Sequence, residues 1–285
     1  PDALVLIDFP GFNLKIAEFA KKQGIKVCYY ISPKIWAWNQ KRVLKIKRDV
    51  DQMYCILPFE VDFYQKWGMD VHYVGNPLLD EKALFVPDIN FRSNQGLSEQ
   101  KMIALLPGSR KQEIERLLPD MLAITDQFPQ YQFVIAAAPT FTADYYQQFI
   151  GNKKVKLVFA QTYNLLQNAH AALVASGTAT LETALFSVPQ VVLYRGGAIS
   201  VGIARLVIKI RFISLVNLIM DRKVVTELIQ QDCNSAQITA NLAAIVEGEE
   251  RTKMLADYAE LKALMGAAGA SERTAKLMVN YLSNV

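Results

Sequence analysis

Along most of this chain, short apolar runs rich in branched residues alternate with stretches of helical character. That alternation limits the fold more than any other feature. Ala3-Leu4-Val5-Leu6-Ile7 reads as a strand, 14–23 as a helix and 25–31 as a second strand after Gly24, with further strands at 52–56 and 71–74. Residues 87–100 are polar and read as a linker. The alternation then restarts, with strands at 102–106, 132–137, 155–158, 171–175 and 190–194 and helices at 111–128, 141–149, 163–168 and 180–186. Strands separated by helices predict parallel sheets covered on both faces. From about Ser235 the chain is helical and rich in Ala, Leu and Lys. The expected organisation is α/β: one unit over 1–86, a second over 87–235, and C-terminal helices over 236–285. The chain opens directly into a buried-type strand, so the first unit is expected to be incomplete at its N-terminal side.

Composition narrows the function classes. Hydrophobic residues make up 52% and charged residues 20% of 285, enough to bury a core and to exclude wholesale disorder. The net charge of +4 is too mild to imply nucleic acid, and no basic run or stacking platform stands out. Anionic small molecules or an anionic membrane face fit it. Cys28, Cys55 and Cys233 lie far apart, and His72 and His170 sit in no metal-ligand spacing. Neither a disulfide framework nor a zinc site is indicated, and reduced thiols in a cytosolic protein are expected. No apolar run approaches the ~20 residues that span a bilayer.

In open α/β sheets ligands bind beyond the carboxyl ends of the strands, so the residues just after each strand carry the functional reading. Leu106-Pro107-Gly108-Ser109-Arg110 turns from a strand into a helix. Gly108 permits close backbone approach, Ser109 can cap or bind phosphate, and Arg110 offers a planar donor fork. Ala175-Ser176-Gly177-Thr178-Ala179-Thr180-Leu181-Glu182 repeats the pattern, with Glu182 placed to accept from ribose hydroxyls. Asp8 follows the first strand, where a carboxylate can take a proton from an attacking hydroxyl. Each of these residues also fits an ordinary turn or helix cap. Trp36 and Trp38 lie beside Lys34, Lys41 and Arg42, a mixture suited to sugar, acyl or phosphate contacts or, for a tryptophan, to core packing. The basic, apolar stretch 199–213 fits a membrane surface and a domain seam equally.

These same residues carry a resemblance. Ser32-Pro-Lys-Ile-Trp-Ala-Trp-Asn-Gln-Lys-Arg42 is similar to the SPxxWAWxxxR signature of the lipid-A-disaccharide synthase family. Leu57-Pro-Phe-Glu60 with Tyr64, Leu105-Leu-Pro-Gly-Ser-Arg110, the 175–182 segment, Tyr194-Arg195 and Ser214-Leu-Val-Asn-Leu218 also resemble that family, in order. The resemblance implies two Rossmann-like domains of glycosyltransferase-B type with the active site between them. It implies an inverting transfer of 2,3-diacylglucosamine from UDP to 2,3-diacylglucosamine 1-phosphate, giving the β-1′,6-linked lipid A disaccharide 1-phosphate, with no metal and no cofactor. It implies a cytoplasmic protein held peripherally at an anionic inner-membrane surface, with a homodimer plausible. Asp8 matches the family's proposed general base. Gly108, Ser109, Arg110, Ser176, Gly177, Thr178, Glu182 and Asn217 match its UDP-sugar side, and Asn13, Ser32, Trp36, Trp38 and Arg42 its acceptor or lipid side. Gly11 stands where many relatives have a second Asp, and Asn76 where many have His. The family's N-terminal SGExSGD segment has no counterpart here, so low or no activity is expected of the chain in isolation. Alternatives are a sugar-nucleotide epimerase or peptidoglycan glycosyltransferase of the same architecture, or a binding remnant without turnover.

Overall fold

A computed structural model describes residues 1–196 and 211–283, and of Trp38 the backbone alone. The described residues form two compact units. One comprises Pro1–Leu84 together with the chain from Ala263 onward, and the other Phe85 to 196 together with Arg211–Lys262.

The first unit is built on a parallel sheet of β1 (Ala3–Ile7), β2 (Lys26–Tyr30), β3 (Gln52–Cys55) and β4 (His72–Tyr73), in that spatial order. Helices α1 (Pro10–Lys22), α2 (Ile35–Trp38), α3 (Val43–Asp49), α4 (Phe59–Gln65) and α5 (Pro77–Leu84) connect or follow the strands. Leu6, Val27, Tyr29 and Met53 pack on one face with Leu14, Ala17, Val43, Ile46 and Tyr64. Cys28, Tyr54 and Val74 face the other way. Burial on both faces explains why β2 and β3 read as continuous apolar runs, whereas Val5 and Ile7 of β1 are exposed. α1 starts at Pro10, earlier than expected, because proline's fixed φ and missing N–H suit a first helical turn.

The second unit begins with a single helical turn, α6 (Phe91–Asn94), inside the stretch expected to be a linker. Phe91 is buried in the core there, and the Arg92 guanidinium donates to the carbonyls of Ser98 and Gln100. Its sheet contains β5 (Met102–Leu106), β6 (Gln132–Ala137), β7 (Val155–Phe159), β8 (Ala169–Ala175), β9 (Gln190–Tyr194) and β10 (Thr226–Ile229). The spatial order is β10-β9-β8-β5-β6-β7, all parallel. Helices α7 (Lys111–Ala123), α8 (Ala143–Ile150), α9 (Thr162–Asn168), α10 (Thr178–Leu185) and α11 (Leu215–Met220) accompany it. The helix expected over 111–128 ends at Ala123, and a 3₁₀ turn, Thr125–Gln127, completes the connection.

The C-terminal helices differ from the separate tail expected over 236–285. α12 (Ser235–Val246) and α13 (Glu249–Met265) up to Lys262 belong to the six-stranded unit. α14 (Ala270–Ser283) belongs to the four-stranded one, where Leu277, Met278 and Tyr281 cover Cys28, Tyr54 and Val74.

Candidate active site

The order of the six-stranded sheet locates its ligand edge. From β5 the chain winds outward through β6 to β7, then returns to the other side of β5 for β8, β9 and β10. The winding reverses between β5 and β8, which pair directly, and such a reversal opens a crevice beyond the strand ends. The two glycine turns read from the sequence follow these two strands.

The turn after β5 is occupied by its own helix. Glu113, in the first turn of α7, reaches back so that its Oε2 accepts from the backbone N–H of Ser109 (3.2 Å) and Arg110 (3.3 Å). Its Oε1 accepts from the Arg110 guanidinium at 2.8 Å. Gly108 has φ +99°, and a Cβ there would lie 2.4 Å from Glu113 Oε2. Glycine is therefore required twice, by the backbone and by the returning carboxylate. The Arg110 side chain is 82% exposed, so leaving this ion pair for a stronger anion costs little.

The turn after β8 is differently arranged. The Ser176 hydroxyl donates to the carbonyl of Ile213 at 3.2 Å, so its proton is not directed at a ligand. Thr180 donates back to the carbonyl of Gly177 at 2.8 Å, which tightens the start of α10. The Thr180 N–H goes to the same carbonyl at 3.2 Å, and helix geometry leaves the N–H groups of Thr178 and Ala179 without an intrahelical acceptor. A Cβ at Gly177 would meet nothing within 4 Å, so neither packing nor its extended φ demands glycine. Glu182, one turn further on, accepts from the Tyr163 hydroxyl at 3.1 Å. Tyr163, Phe85 and Ala160 to Asn164 line a cavity of about 370 Å³ beyond β7. Phe85 meets Tyr163 edge-on, with ring centroids 5.5 Å apart.

Asn217, expected on the UDP-sugar side, spends its side chain within the fold. It is fully buried, its carbonyl accepts from the N–H of Val224 (2.7 Å) and Val225 (2.9 Å), and its amide donates to the carbonyl of Val225 and to Glu227, both at 2.9 Å. Two donors and two lone pairs are all an amide has, so none is left for a sugar.

In the four-stranded unit, Asp8 is exposed at the carboxyl end of β1. Asp8 and Phe9 both adopt left-handed backbone, φ +46° and +45°. The second is rare for a bulky residue and costs on the order of 1–3 kcal/mol. Asn13 holds the turn, its amide donating to the carbonyls of Ile7 (3.1 Å) and Asp8 (2.7 Å), and the Tyr29 hydroxyl donates to the Asp8 carbonyl at 2.6 Å. Every one of these bonds fixes backbone and leaves the Asp8 carboxylate facing outward. Gly11 has open space where a Cβ would stand.

The tryptophan segment lies inward. Trp36 is 8% exposed, and its indole N–H donates to Glu60 Oε1 at 3.1 Å. Glu60 Oε2 accepts from the N–H of Ile56 and Leu57, and burial pushes its carboxyl up to about 7. Ser32 is buried against the Tyr64 hydroxyl at 3.0 Å. Arg42 is half-buried in the 3₁₀ turn before α3. Asn76, buried, bridges the Ile56 carbonyl and the Leu78 N–H. The Trp38 side chain and residues 199–210 of the basic apolar stretch lie outside the described residues.

Comparison with known proteins agrees with this framework. A family model described as lipid-A-disaccharide synthetase matches residues 1–279. The chain belongs to that family. It is 40% identical over 290 residues to the lipid-A-disaccharide synthase of Myxococcus xanthus and 37% identical over 289 residues to that of Coxiella burnetii, covering 99% of this chain and 76% of each relative. Among solved structures it is similar to the UDP-GlcNAc 2-epimerase of Methanocaldococcus jannaschii (TM-score 0.66, 15% identity, 98% of this chain and 76% of that one). It is also similar to that of Neisseria meningitidis (TM-score 0.68, 14% identity, with the same coverage). At such identities the likeness shows the fold alone, which is glycosyltransferase-B-like with two Rossmann-like units. The sequence pattern assigned no role to Glu113, Tyr163 or Glu227, and showed Glu60 only as the end of the Leu57–Glu60 motif. Glu113 left a local signal as well, standing three residues after a helix start as in a capping box. The others are brought to their partners by the fold.

Proposed function

We propose that this chain carries out the reaction of its family, moving 2,3-diacylglucosamine from UDP to the 6-hydroxyl of 2,3-diacylglucosamine 1-phosphate. The observation that carries the reading is the family match over nearly the whole chain. The two phosphate-type turns flanking the sheet's switch point add to it. In this reading Asp8 takes the hydroxyl proton, the oxygen bonds to the anomeric carbon from the face opposite UDP, and the bond from that carbon to the pyrophosphate breaks. The configuration inverts, and the charge leaving on UDP is met by Arg110 and by the N–H groups of Gly177 and Thr178. Glu182 receives the ribose hydroxyls, and the cavity beside Tyr163 receives the uracil ring. Asn13 holds the Asp8 turn, while Ser32, Trp36 and Arg42 shape the acceptor side from within.

Peripheral attachment to an anionic membrane face and a homodimer belong to the same reading. The net charge of +4 and the acylated substrates favour the first. No helix among the described residues is long and apolar enough to cross a membrane.

Turnover of the two lipid substrates tests the proposal, on the chain alone and on a version extended at its N-terminus to the length of its relatives. Disaccharide is expected from the extended version. It should fall at least about a thousandfold in Asp8→Ala with UDP affinity unchanged. An extended version that binds UDP and makes no disaccharide removes the substrate assignment.

A further inference from the structure

The bonds around Ser176 extend to a residue with no place in the chemistry so far. Glu227 lies on β10, half-buried. Its carboxylate accepts from the N–H of Ile213 (3.0 Å), the N–H of Ser214 (2.9 Å) and the amide of Asn217 (2.9 Å). Asn217 ties the same carboxylate to the backbone of Val224 and Val225. Ser214, fully buried, caps α11 by accepting from the N–H of Asn217 at 3.2 Å. The backbone at 213–214 is thus held from one side by the Glu227 carboxylate, which the buried Asn217 braces in turn. On its other side the Ile213 carbonyl takes the Ser176 hydroxyl proton, and Ser176 opens the turn into α10. The Ser176 N–H is fixed separately, on the Leu193 carbonyl at 2.9 Å.

We propose that Glu227 is a positioning residue for the nucleotide site, acting through the Ile213 carbonyl and Ser176 to hold the turn before α10 in its ligand-ready form. The inference rests on the reading that UDP binds at that turn. Hydrogen bonds to an ionised group are about twice as strong as neutral ones, and this carboxylate receives two adjoining backbone N–H groups and the Asn217 amide. A surface strand needs no such clamp for its own sake, since β10 already pairs in register with β9. The turn does need one, because N–H groups that stabilise an anion contribute most when they are fixed before the ligand arrives. Ser176 then serves as a strut, with its proton committed to Ile213, while the adjoining N–H groups meet the phosphate.

The test is a double-mutant cycle on UDP affinity by calorimetry, using the whole chain as wild type, Glu227→Ala, Ser176→Ala and the double variant, with a melting curve for each. Glu227→Ala is expected to weaken UDP about tenfold and Ser176→Ala about fivefold. The double variant should be no weaker than Glu227→Ala alone, because both break one connection. Glu227→Gln, which keeps one acceptor oxygen, should recover part of the loss. If Glu227→Ala does not fold, the comparison is read on Glu227→Gln, Ser176→Ala and their combination. UDP affinity unchanged in folded Glu227 variants, or effects that multiply in the double variant, would overturn the proposal while leaving the nucleotide site intact. A wild-type chain that fails to bind UDP would remove the nucleotide reading and this inference with it.

Discussion

Glu60 shows how far a residue's chemistry departs from its place in a motif. In the sequence it closes Leu57-Pro58-Phe59-Glu60. In the structure it is 1% exposed and joins the first turn of α4 to the Trp36 segment. Burial raises its carboxyl to about 7, opposed by the N–H of Leu57, the Trp36 indole, the N–H of Ile56 and Ser32. Cys55, Tyr64 and Tyr73 are the other titratable groups whose behaviour it influences. A folded-state value above the unfolded one means that the fold holds the proton more tightly than the open chain does. The associated stability is complete below the ordinary carboxylate range and is lost as pH rises to about 7 and beyond. The window is worth on the order of 3 kcal/mol. Thermal unfolding followed from pH 5 to 8 should show a falling transition temperature in the wild type and a much flatter profile in Glu60→Gln. Equal slopes in the two proteins would mean that the pH dependence belongs to another group. Asp8 makes the complementary point: its carboxylate is exposed, and its bonds are made by its backbone, so the turn serves to present it.

At the scale of elements, α14 is secured by a short list of contacts distant in sequence. The Asp80 carboxylate accepts from the N–H groups of Gly269, Ala270 (3.1 Å) and Ser271 (3.0 Å), three of the donors that a helix start leaves unpaired. Burial alone would raise the Asp80 carboxyl, but the N–H groups of Ser271, Gly269 and Ala270 outweigh it and hold the group below its ordinary value. Arg273 adds bonds to the carbonyls of Val74 (2.9 Å), Ala268 (2.8 Å) and Ala267 (3.0 Å). It lies so close to Gly75, at φ +87°, that a Cβ there would stand 2.4 Å from the guanidinium. Asp80→Ala should cost about 1–2 kcal/mol and expose the segment from Met265 to Ser271 to proteolysis. The stabilisation is present above the ordinary carboxylate value and is lost as pH falls through the lowered one. A variant as resistant as wild type at neutral pH, and equally sensitive to acid, would assign the docking of α14 to its apolar face.

For the whole molecule, the central strands of both sheets are covered on both faces, and the thiols record that burial. Cys28, Cys55 and Cys233 are all buried. Burial pushes each thiol up, that of Cys233 to about 11, so the reactive thiolate is scarce at neutral pH. An aromatic disulfide reagent should therefore label the native chain slowly and reach all three cysteines only in denaturant. Rapid labelling of Cys28 or Cys55 in buffer would show that the four-stranded unit opens locally. Labelling of Cys233 would report instead on the six-stranded unit.

The alternation of apolar runs and helices was enough to read the parallel strands, because a strand buried on both faces leaves an unbroken hydrophobic signature whatever its neighbours are. The strand-end turns were legible too, since Gly108 is a local requirement of the backbone and the run of small residues at 176–178 marks a turn between strand and helix. The order β10-β9-β8-β5-β6-β7 was not legible, and it alone places the turns after β5 and β8 side by side. Nor did the sequence show that the Ser176 proton goes to Ile213, that Asn217 is consumed by Val224, Val225 and Glu227, or that Glu60 holds Trp36. Hydrogen bonds join groups by distance in space, and these partners lie up to 37 residues apart in the chain. Local pattern determined which segments become strands and turns. Which side chains remain available to a ligand was decided by tertiary structure, because each donor proton and each lone pair can be spent only once.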